Sequence, residues 1–248
     1  MDRPRNILIL DDDSLHRHYI RDLIEEIYDG SVRIVDVEHS DDAVNILGEL
    51  KPDLCIFDLQ LPGERSGIDV AKYAWEHNSS QRILFWSQHS DEMYVRKLFS
   101  IVPPNAIYGF IIKTALDDKI LNAIEYILEY DQCWIDPTIR KLRQTTFDKT
   151  NGLTNVEYET LVDLALGLSD NAIANRRFIT RRGVQNRLAS LYQKLGVTDE
   201  QIINGDWGYV FNPRTRALTV ALSRGLINQE ALRKENEFLM DWTCKLVP

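Results

Sequence analysis

Short apolar runs alternate with longer amphipathic stretches through the first half of the chain. Within the longer stretches apolar residues recur at helical spacing, as they do from residue 15 to residue 27. Ser40 and Ser66 precede two of these stretches and are predicted to be N-caps. The strand-like runs are residues 6–10, 33–37, 54–57, 82–86 and 107–112. Five strands that are each followed by a helix predict a doubly wound α/β fold with a five-stranded parallel sheet, because parallel neighbours need crossover connections and burial on both faces.

The alternation stops after residue 130, and the strand pattern does not return. Residues 131–152 contain a proline, polar residues and an Asn-Gly turn signal, so they are predicted to be a linker. An all-helical domain is predicted at residues 153–228, with an acidic and aromatic insertion near residues 199–213. Residues 229–248 form an amphipathic tail, whose pattern favours a packing cap over a partner for a groove. The predicted helices are residues 155–166, 170–177, 181–195 and 214–224.

Length and composition agree with two folded domains. The chain has 248 residues, of which 44% are hydrophobic and 27% charged, close to globular averages. The first apolar run, residues 7–10, is too short for a signal peptide and ends in three aspartates, and no stretch approaches the roughly 18 apolar residues of a membrane helix. Three cysteines without C-x-x-C spacing argue against disulfides and a thiolate zinc site. We therefore expect a cytoplasmic protein with no membrane partner.

Charge separates the two halves. The net charge of -9 is concentrated in residues 1–130, which hold 13 Lys+Arg and 24 Asp+Glu. Residues 171–198 contain six basic side chains and no acidic one. A cluster of this kind is the electrostatic footprint that a phosphate backbone requires, although it also fits a solvated basic face.

Polar residues follow the predicted strands at their carboxyl ends. Because these ends meet at one edge of a doubly wound sheet, we expect their side chains to lie together. Crowded carboxylates call for a hard divalent cation such as Mg²⁺, which also neutralises phosphoryl oxygens, while a lysine and a hydroxyl can hold others. The residues concerned are Asp11, Asp12, Asp13, Asp58, Ser87 and Lys113.

The motifs ILILDDDS, FDLQLPG, LFWS and YGFIIK resemble those of the response-regulator receiver family over residues 5–130. The resemblance implies a flavodoxin-like receiver domain at residues 1–130, whose Asp58 is phosphorylated by a sensor histidine kinase. It implies Mg²⁺ bound by Asp12, Asp58 and the backbone carbonyl of Gln60, with Asp11 in support. Ser87, Phe110 and Lys113 match the switch hydroxyl, the switch aromatic and the phosphate-binding lysine.

Two departures from the family pattern keep a second hypothesis open. Gln88 stands where the family usually has a small residue, and residues 90–107 form a longer segment than usual. The receiver could then be a phosphorylation-independent module for dimerisation or ligand binding. A haloacid-dehalogenase phosphatase also begins with Asp-x-Asp after a strand, but the FDLQLPG segment has no role there. The histidines offer no i, i+4 metal pair and are predicted to be exposed or capping; they are His16, His18, His39, His77 and His89.

The segment from residue 153 to residue 197 resembles the DNA-binding domain of LuxR-type regulators, with residues 181–194 as the recognition helix. Its apolar face anchors the helix, while Gln185, Asn186 and Ala189 fall on the opposite side, where amides can pair with adenine edges. Gly183, Gln185 and Arg187 depart from the residues common in the family. The side chains suited to phosphate are Thr180, Arg181, Arg182, Arg187 and Lys194.

The two halves together resemble a response regulator of the NarL/FixJ type. This resemblance implies a DNA-binding homodimer and not an enzyme, in which phosphorylation of Asp58 changes dimerisation and DNA affinity. A helical bundle with a basic solvated face remains the alternative for the second half.

Overall fold

The computed structural model describes residues 4–28, 30–63, 65–88, 92–148, 152–197 and 211–244. Contacts divide the chain into two compact units, the first made of residues 1–90 and 94–142 and the second of residues 91–93 and 143–248. None of the described helices combines the length and the apolar composition that a bilayer crossing needs.

The first unit is an α/β sandwich around a parallel sheet. In the described part of the chain, six strands pair in the order β2-β1-β3-β4-β5-β6, and every pair is parallel. The predicted doubly wound fold is thus confirmed, with one strand more than the pattern predicts. Its elements are β1 (Arg5–Leu10), α1 (Ser14–Tyr28), β2 (Val32–Val37), α2 (Ser40–Leu50), β3 (Leu54–Phe57), α3 (Gly67–His77), β4 (Ile83–Ser87), α4 (Glu92–Ile101), β5 (Tyr108–Ile112), α5 (Asp117–Leu128) and β6 (Trp134–Ile135).

The additional strand corrects the predicted linker at residues 131–152. Trp134 and Ile135 pair with Gly109 and Phe110 of β5, and α6 (Pro137–Thr146) follows directly. Residues 131–142 therefore belong to the first unit instead of leading away from it. A strand of two residues is too short to show an alternating pattern, which is why the sequence does not reveal it.

The two predicted N-caps have opposite outcomes. Ser66 is the N-cap of α3 and forms a capping box with Asp69, in which its hydroxyl accepts from the Asp69 backbone N–H. Ser40 is already the first residue of α2, while His39 occupies the cap position without a side-chain hydrogen bond. The prediction for Ser40 is therefore wrong.

Burial on both sheet faces explains the apolar strands. All four residues of β3 and all five of β4 are buried. On one face α1 and α5 contribute Ile20, Ile24 and Ile124 to the core. Because the central strands are covered on both faces, the polar residues that follow them are held at a rigid edge.

The second unit is helical in its described part. Its helices are α7 (Asn155–Ala165), α8 (Asp170–Arg176), α9 (Arg181–Lys194), α10 (Pro213–Ser223) and α11 (Gln229–Cys244). The four helices predicted before residue 229 are confirmed to within one or two residues at each end. Of the predicted insertion near residues 199–213, residues 199–210 lie outside the part of the chain that the structure describes.

The described part of the C-terminal tail packs on the helical core. Leu239 of α11 is buried in the cluster that also contains Leu161 and Leu164 of α7, and Leu232 and Trp242 pack against the same cluster. These contacts support the prediction of a packing cap.

Candidate functional site

The carboxyl ends of β1, β3 and β5 bring two aspartates and a lysine into contact. Lys113 Nζ lies 2.6 Å from Asp11 Oδ2 and 2.8 Å from Asp58 Oδ2. All three side chains are at most 9% exposed. Since a buried charge without a partner costs several kcal/mol, the ammonium and the two carboxylates stabilise one another in this position.

Backbone hydrogen bonds between neighbouring strands hold this edge together. The Asp58 N–H donates to the Leu10 carbonyl at 2.8 Å, and the Lys113 N–H donates to the Ser87 carbonyl at 2.9 Å. The Gln60 N–H donates to Asp58 Oδ1 at 3.2 Å, so the turn after β3 closes on the side chain that precedes it. The predicted site is therefore built on the rigid sheet and its first turns.

Gly67 is a positioning residue that the sequence analysis did not identify. A Cβ atom at this position would lie 1.7 Å from the Asp58 carbonyl oxygen. The Gly67 N–H donates to the Leu59 carbonyl at 3.2 Å, which ties the start of α3 to the loop after Asp58. Only glycine permits this close approach. The sequence feature that could have identified this residue was a glycine directly after the predicted cap Ser66.

Three carboxylates at the edge suit a divalent cation. Asp11, Asp12 and Asp58 each offer an oxygen, and these oxygens lie within 4.8 Å of one another. Asp11 Oδ2 is buried and has the Lys113 ammonium 2.6 Å away, but it accepts no well-formed hydrogen bond, so it retains a lone pair that a cation can use. Mg²⁺ prefers oxygen ligands and keeps several waters, for which the exposed Asp12 leaves room. The residues present therefore fit Mg²⁺.

The two predicted switch residues are buried in neighbouring strands. Ser87 is the last residue of β4 and is fully buried, and it pairs with Ile112, the residue before Lys113. Phe110 of β5 is also fully buried, with its ring 6.3 Å from that of Phe85. Ser87 thus lies beside the strand that carries Lys113, whereas Phe110 belongs to the core.

His16 and Trp86 surround Lys113, and the sequence analysis predicted neither. His16 Nδ1 lies 3.0 Å from Lys113 Nζ, and the Lys113 ammonium lies 5.2 Å from the centre of the Trp86 ring. The rings of His16 and Trp86 meet edge to face at 5.5 Å. The prediction of an exposed or capping side chain is therefore wrong for His16; His89 lies outside the described residues. The sequence feature that could have identified His16 was its position in the first turn of the helix that follows the three aspartates.

In the second unit, α9 has the two faces that its sequence predicts. Val184, Leu188 and Leu191 are buried in the core. Gln185, Asn186 and Ala189 are exposed on the other side. Thr180 is the N-cap, and its hydroxyl accepts from the Gly183 N–H at 3.1 Å. Among the predicted phosphate-binding cations, Arg181 and Arg182 are exposed and Arg187 is half-buried.

Lys194 differs from the other predicted phosphate contacts. Its ammonium lies 2.7 Å from Glu157 Oε2 and donates to the Gly152 carbonyl at 3.1 Å. Burial on its own would raise the pKa of the Glu157 carboxyl, but hydrogen bonds from Lys194, Ser190 and Thr154 together lower this pKa to about 2. Lys194 is therefore engaged within its own unit, which argues against the expectation that it contacts phosphate.

Two further cations of the basic segment are also engaged within the unit. Asp163 is fully buried, and it accepts hydrogen bonds from Arg176 at 2.7 Å and from Arg177 at 2.7 and 3.0 Å. The sequence count of basic residues therefore overstates the charge that this surface presents, because three of the six cations neutralise buried acids.

Residues 7–125 match the family model of the response regulator receiver domain, in agreement with this fold and acidic edge. These residues therefore correspond to a response regulator receiver domain. The chain is 25% identical over 227 residues to the transcriptional regulatory protein YdfI of Bacillus subtilis, which covers 89% of this chain and 97% of that protein. It is 26% identical over 193 residues to a nitrate/nitrite response regulator protein homolog of Haemophilus influenzae, covering 77% and 90% of the two chains.

Solved structures with the same fold include complexes with DNA. RcsB of Salmonella enterica serovar Typhimurium, bound to promoter P1flhDC in the presence of the phosphomimetic BeF3-, is 20% identical with a TM-score of 0.59, covering 90% of this chain and 100% of that chain. Another RcsB–DNA complex is 22% identical with a TM-score of 0.57, covering 88% and 98%. At this identity the likeness shows the fold. These curated relatives bear the names of regulators and not of enzymes, which favours the regulator hypothesis over the phosphatase hypothesis.

Proposed function

We propose that this chain is a response regulator that controls transcription by binding DNA through α9, and that a sensor histidine kinase of the cytoplasm phosphorylates it on Asp58. The observation that carries the proposal is the contact of Lys113 with both Asp11 and Asp58 at the edge of the sheet. The names of the relatives and the exposed polar face of α9 support the DNA-binding half.

In the proposed transfer, a carboxylate oxygen of Asp58 attacks the phosphorus of a phosphohistidine. The P–O bond to Asp58 forms as the P–N bond to the histidine breaks, and the imidazole leaves with the electron pair of that bond. Asp11, Asp12, Asp58 and the Gln60 carbonyl would hold Mg²⁺, which offsets negative charge on the phosphoryl oxygens. Lys113, already 2.8 Å from Asp58, then binds a phosphoryl oxygen as a point charge.

The same oxygens supply the switch. A phosphoryl group on Asp58 offers new acceptors to the Ser87 hydroxyl, which lies at the end of the neighbouring strand. Movement of β4 towards these oxygens would change the space around Phe110, whose ring is enclosed in the core. We propose that this rearrangement alters the surface that forms a homodimer, and thereby the DNA affinity of the paired α9 helices.

Phosphorylation of Asp58 is tested by intact mass after treatment with a small phosphodonor and Mg²⁺. The parent chain should gain one phosphoryl group, and Asp58→Asn should gain none. Asp13→Asn is the matched control, because Asp13 is an acidic neighbour at the same edge that the metal cluster does not include. Labelling of Asp58→Asn would place the acceptor elsewhere. An unlabelled parent would favour the phosphorylation-independent receiver.

DNA readout is tested by fluorescence anisotropy on a preferred and a scrambled duplex over a salt series. Arg181→Ala should weaken binding to both duplexes and reduce the salt slope by about one phosphate. Gln185→Ala should cost about 1 to 3 kcal/mol on the preferred duplex only. Lys194→Ala should leave the salt slope unchanged, since its ammonium pairs with Glu157. Equal losses for Gln185→Ala on both duplexes would remove it from base readout.

The spacing of binding sites tests the homodimer. Two recognition helices related by a twofold axis require half-sites about 10 base pairs apart, or a multiple of that distance. Affinity should therefore fall when five base pairs, about half a turn, are inserted between half-sites and recover when about ten are inserted. Binding that ignores the spacing would mean that α9 acts as a monomer.

A further inference from the structure

Four helices of the second unit end in the same backbone motif within its described part. After each of α7, α8, α9 and α10, one residue takes a left-handed conformation, and the next residue donates its N–H back to a carbonyl five positions earlier. These N–H donors are Leu168, Ile179, Val197 and Leu226, at 3.1, 3.0, 2.8 and 2.9 Å. The four ends are therefore comparable with one another.

Three of the left-handed positions hold glycine and the fourth holds phenylalanine. Gly167, Gly196 and Gly225 have φ values of 82°, 70° and 66°, and Phe178 has a φ of 53°. Glycine adopts this conformation without strain, whereas a Cβ atom crowds the backbone there. The chain thus accepts at the end of α8 a strain that it avoids at three equivalent ends.

Packing does not compensate this strain. Phe178 is 95% exposed, whereas Ile179 beside it packs against the helical core. An aromatic ring in water contributes no burial to the stability of the fold. Replacement by glycine would relieve the backbone and remove no contact of the core. Folding therefore gives no reason for a phenylalanine at this position.

The surroundings of the ring indicate its partner. Phe178 lies two residues before Thr180, the N-cap of α9, and the exposed Arg181 and Arg182 follow. The preceding cations are paired with Asp163, so the free charge next to the ring is positive. A positive surface complements a polyanion, and an aromatic side chain within it can lie against a deoxyribose or the methyl group of a thymine.

We propose that Phe178 is a DNA-contacting residue, whose ring makes an apolar contact with a deoxyribose or a base at the edge of the surface formed by α9. This inference rests on the proposed DNA-binding function. It assigns the strained turn between α8 and α9 to the interface, next to the amides that read the bases. The contact neutralises no phosphate, so its contribution to affinity is independent of salt.

The test compares Phe178→Gly and Phe178→Trp with the parent chain. Glycine removes the ring and relieves the turn, so its thermal midpoint should equal or exceed that of the parent. Its affinity for duplex DNA should nevertheless fall about tenfold, which corresponds to about 1.4 kcal/mol for the lost apolar contact. Its plot of log affinity against log salt should keep the parent slope. Tryptophan retains an aromatic ring and should bind within about twofold of the parent.

Several outcomes would overturn this inference. Parent-like affinity of Phe178→Gly, together with DNA binding by the parent, would reject the ring contact and leave the proposed function standing. A reduced salt slope would mean that the change acted through the neighbouring arginines. A lowered association state in sedimentation with unchanged DNA affinity would assign the ring to a protein contact. A parent that binds no duplex would reject the proposed function and this inference with it.

Discussion

Glu157→Gln tests the conclusion that Lys194 belongs to the domain core and not to the DNA surface. The Glu157 carboxylate accepts hydrogen bonds from Lys194 at 2.7 Å, from Ser190 at 2.5 Å and from the Thr154 backbone at 2.7 Å. Its side chain is 8% exposed. Glutamine preserves the shape and one acceptor oxygen but removes the negative charge that faces the Lys194 ammonium.

The lowered pKa sets the size and the pH range of the effect. The carboxyl has an ordinary pKa of 4.5 and a pKa of about 2 in the folded chain. One pKa unit corresponds to about 1.4 kcal/mol, so the interactions of the charged form contribute at most about 3.5 kcal/mol. Lys194 is 18% exposed, and water screens part of this energy, which leaves about 2 kcal/mol. Because the folded pKa is the lower one, the stabilisation is complete above pH 4.5 and is lost as the pH falls towards about 2.

Urea unfolding followed by circular dichroism measures this difference in the full chain. Glu157→Gln should be less stable than the parent by about 2 kcal/mol at neutral pH, and the difference should narrow below pH 4.5. Glu159→Gln is the matched control on the same helix, because its carboxylate is 47% exposed in a pair with Arg177 and should contribute less than about 1 kcal/mol. A glutamine variant as stable as the parent at neutral pH, or a difference that does not narrow in acid, would refute the reasoning.

Two further predictions concern the receiver. Ser87→Ala and Phe110→Leu should leave phosphorylation of Asp58 measurable but uncouple it from dimerisation, since both side chains respond to the phosphoryl group without forming its bond. Sedimentation with and without phosphodonor measures the dimerisation, and parent-like dimerisation of both variants would contradict the switch assignment. Gly67→Ala should destabilise the receiver by about 1 to 3 kcal/mol and slow phosphorylation, because the added Cβ would lie 1.7 Å from the Asp58 carbonyl oxygen. Thermal melts measure the stability and labelling rates measure the phosphorylation. A variant with parent-like values would show that the loop after Asp58 moves to accommodate the methyl group without cost.

Much of the fold follows from the order of residues along the chain. Strand and helix periods distinguish the first half from the second, and they predict four helices of the second unit and five strands of the sheet to within one or two residues at most ends. The acidic edge follows as well, because parallel strands must end at the same side and the polar residues come directly after them. These properties depend on side-chain period and chain direction, which are local.

Other features depend on contacts between residues distant in the chain. Lys194 is a basic residue on the predicted recognition helix, and its contacts with Gly152 and Glu157, 42 and 37 positions earlier, argue against a place for it on the proposed DNA surface. His16 approaches Lys113 across 97 positions. Local pattern contains no information on such pairs, since they arise only when the chain packs on itself.

The sequence by itself determined the two halves, the carboxylates and lysine at the strand ends, and the two faces of α9. The tertiary structure decided which charges are free. Asp163 and Glu157 are buried, and a buried acid requires a cation to compensate its lost hydration. Arg176 and Arg177 pair with Asp163, and Lys194 pairs with Glu157. Arg181 and Arg182 remain exposed to solvent. Burial is a property of the packed chain, so the sequence alone could not separate the cations that pair with buried acids from those that are exposed.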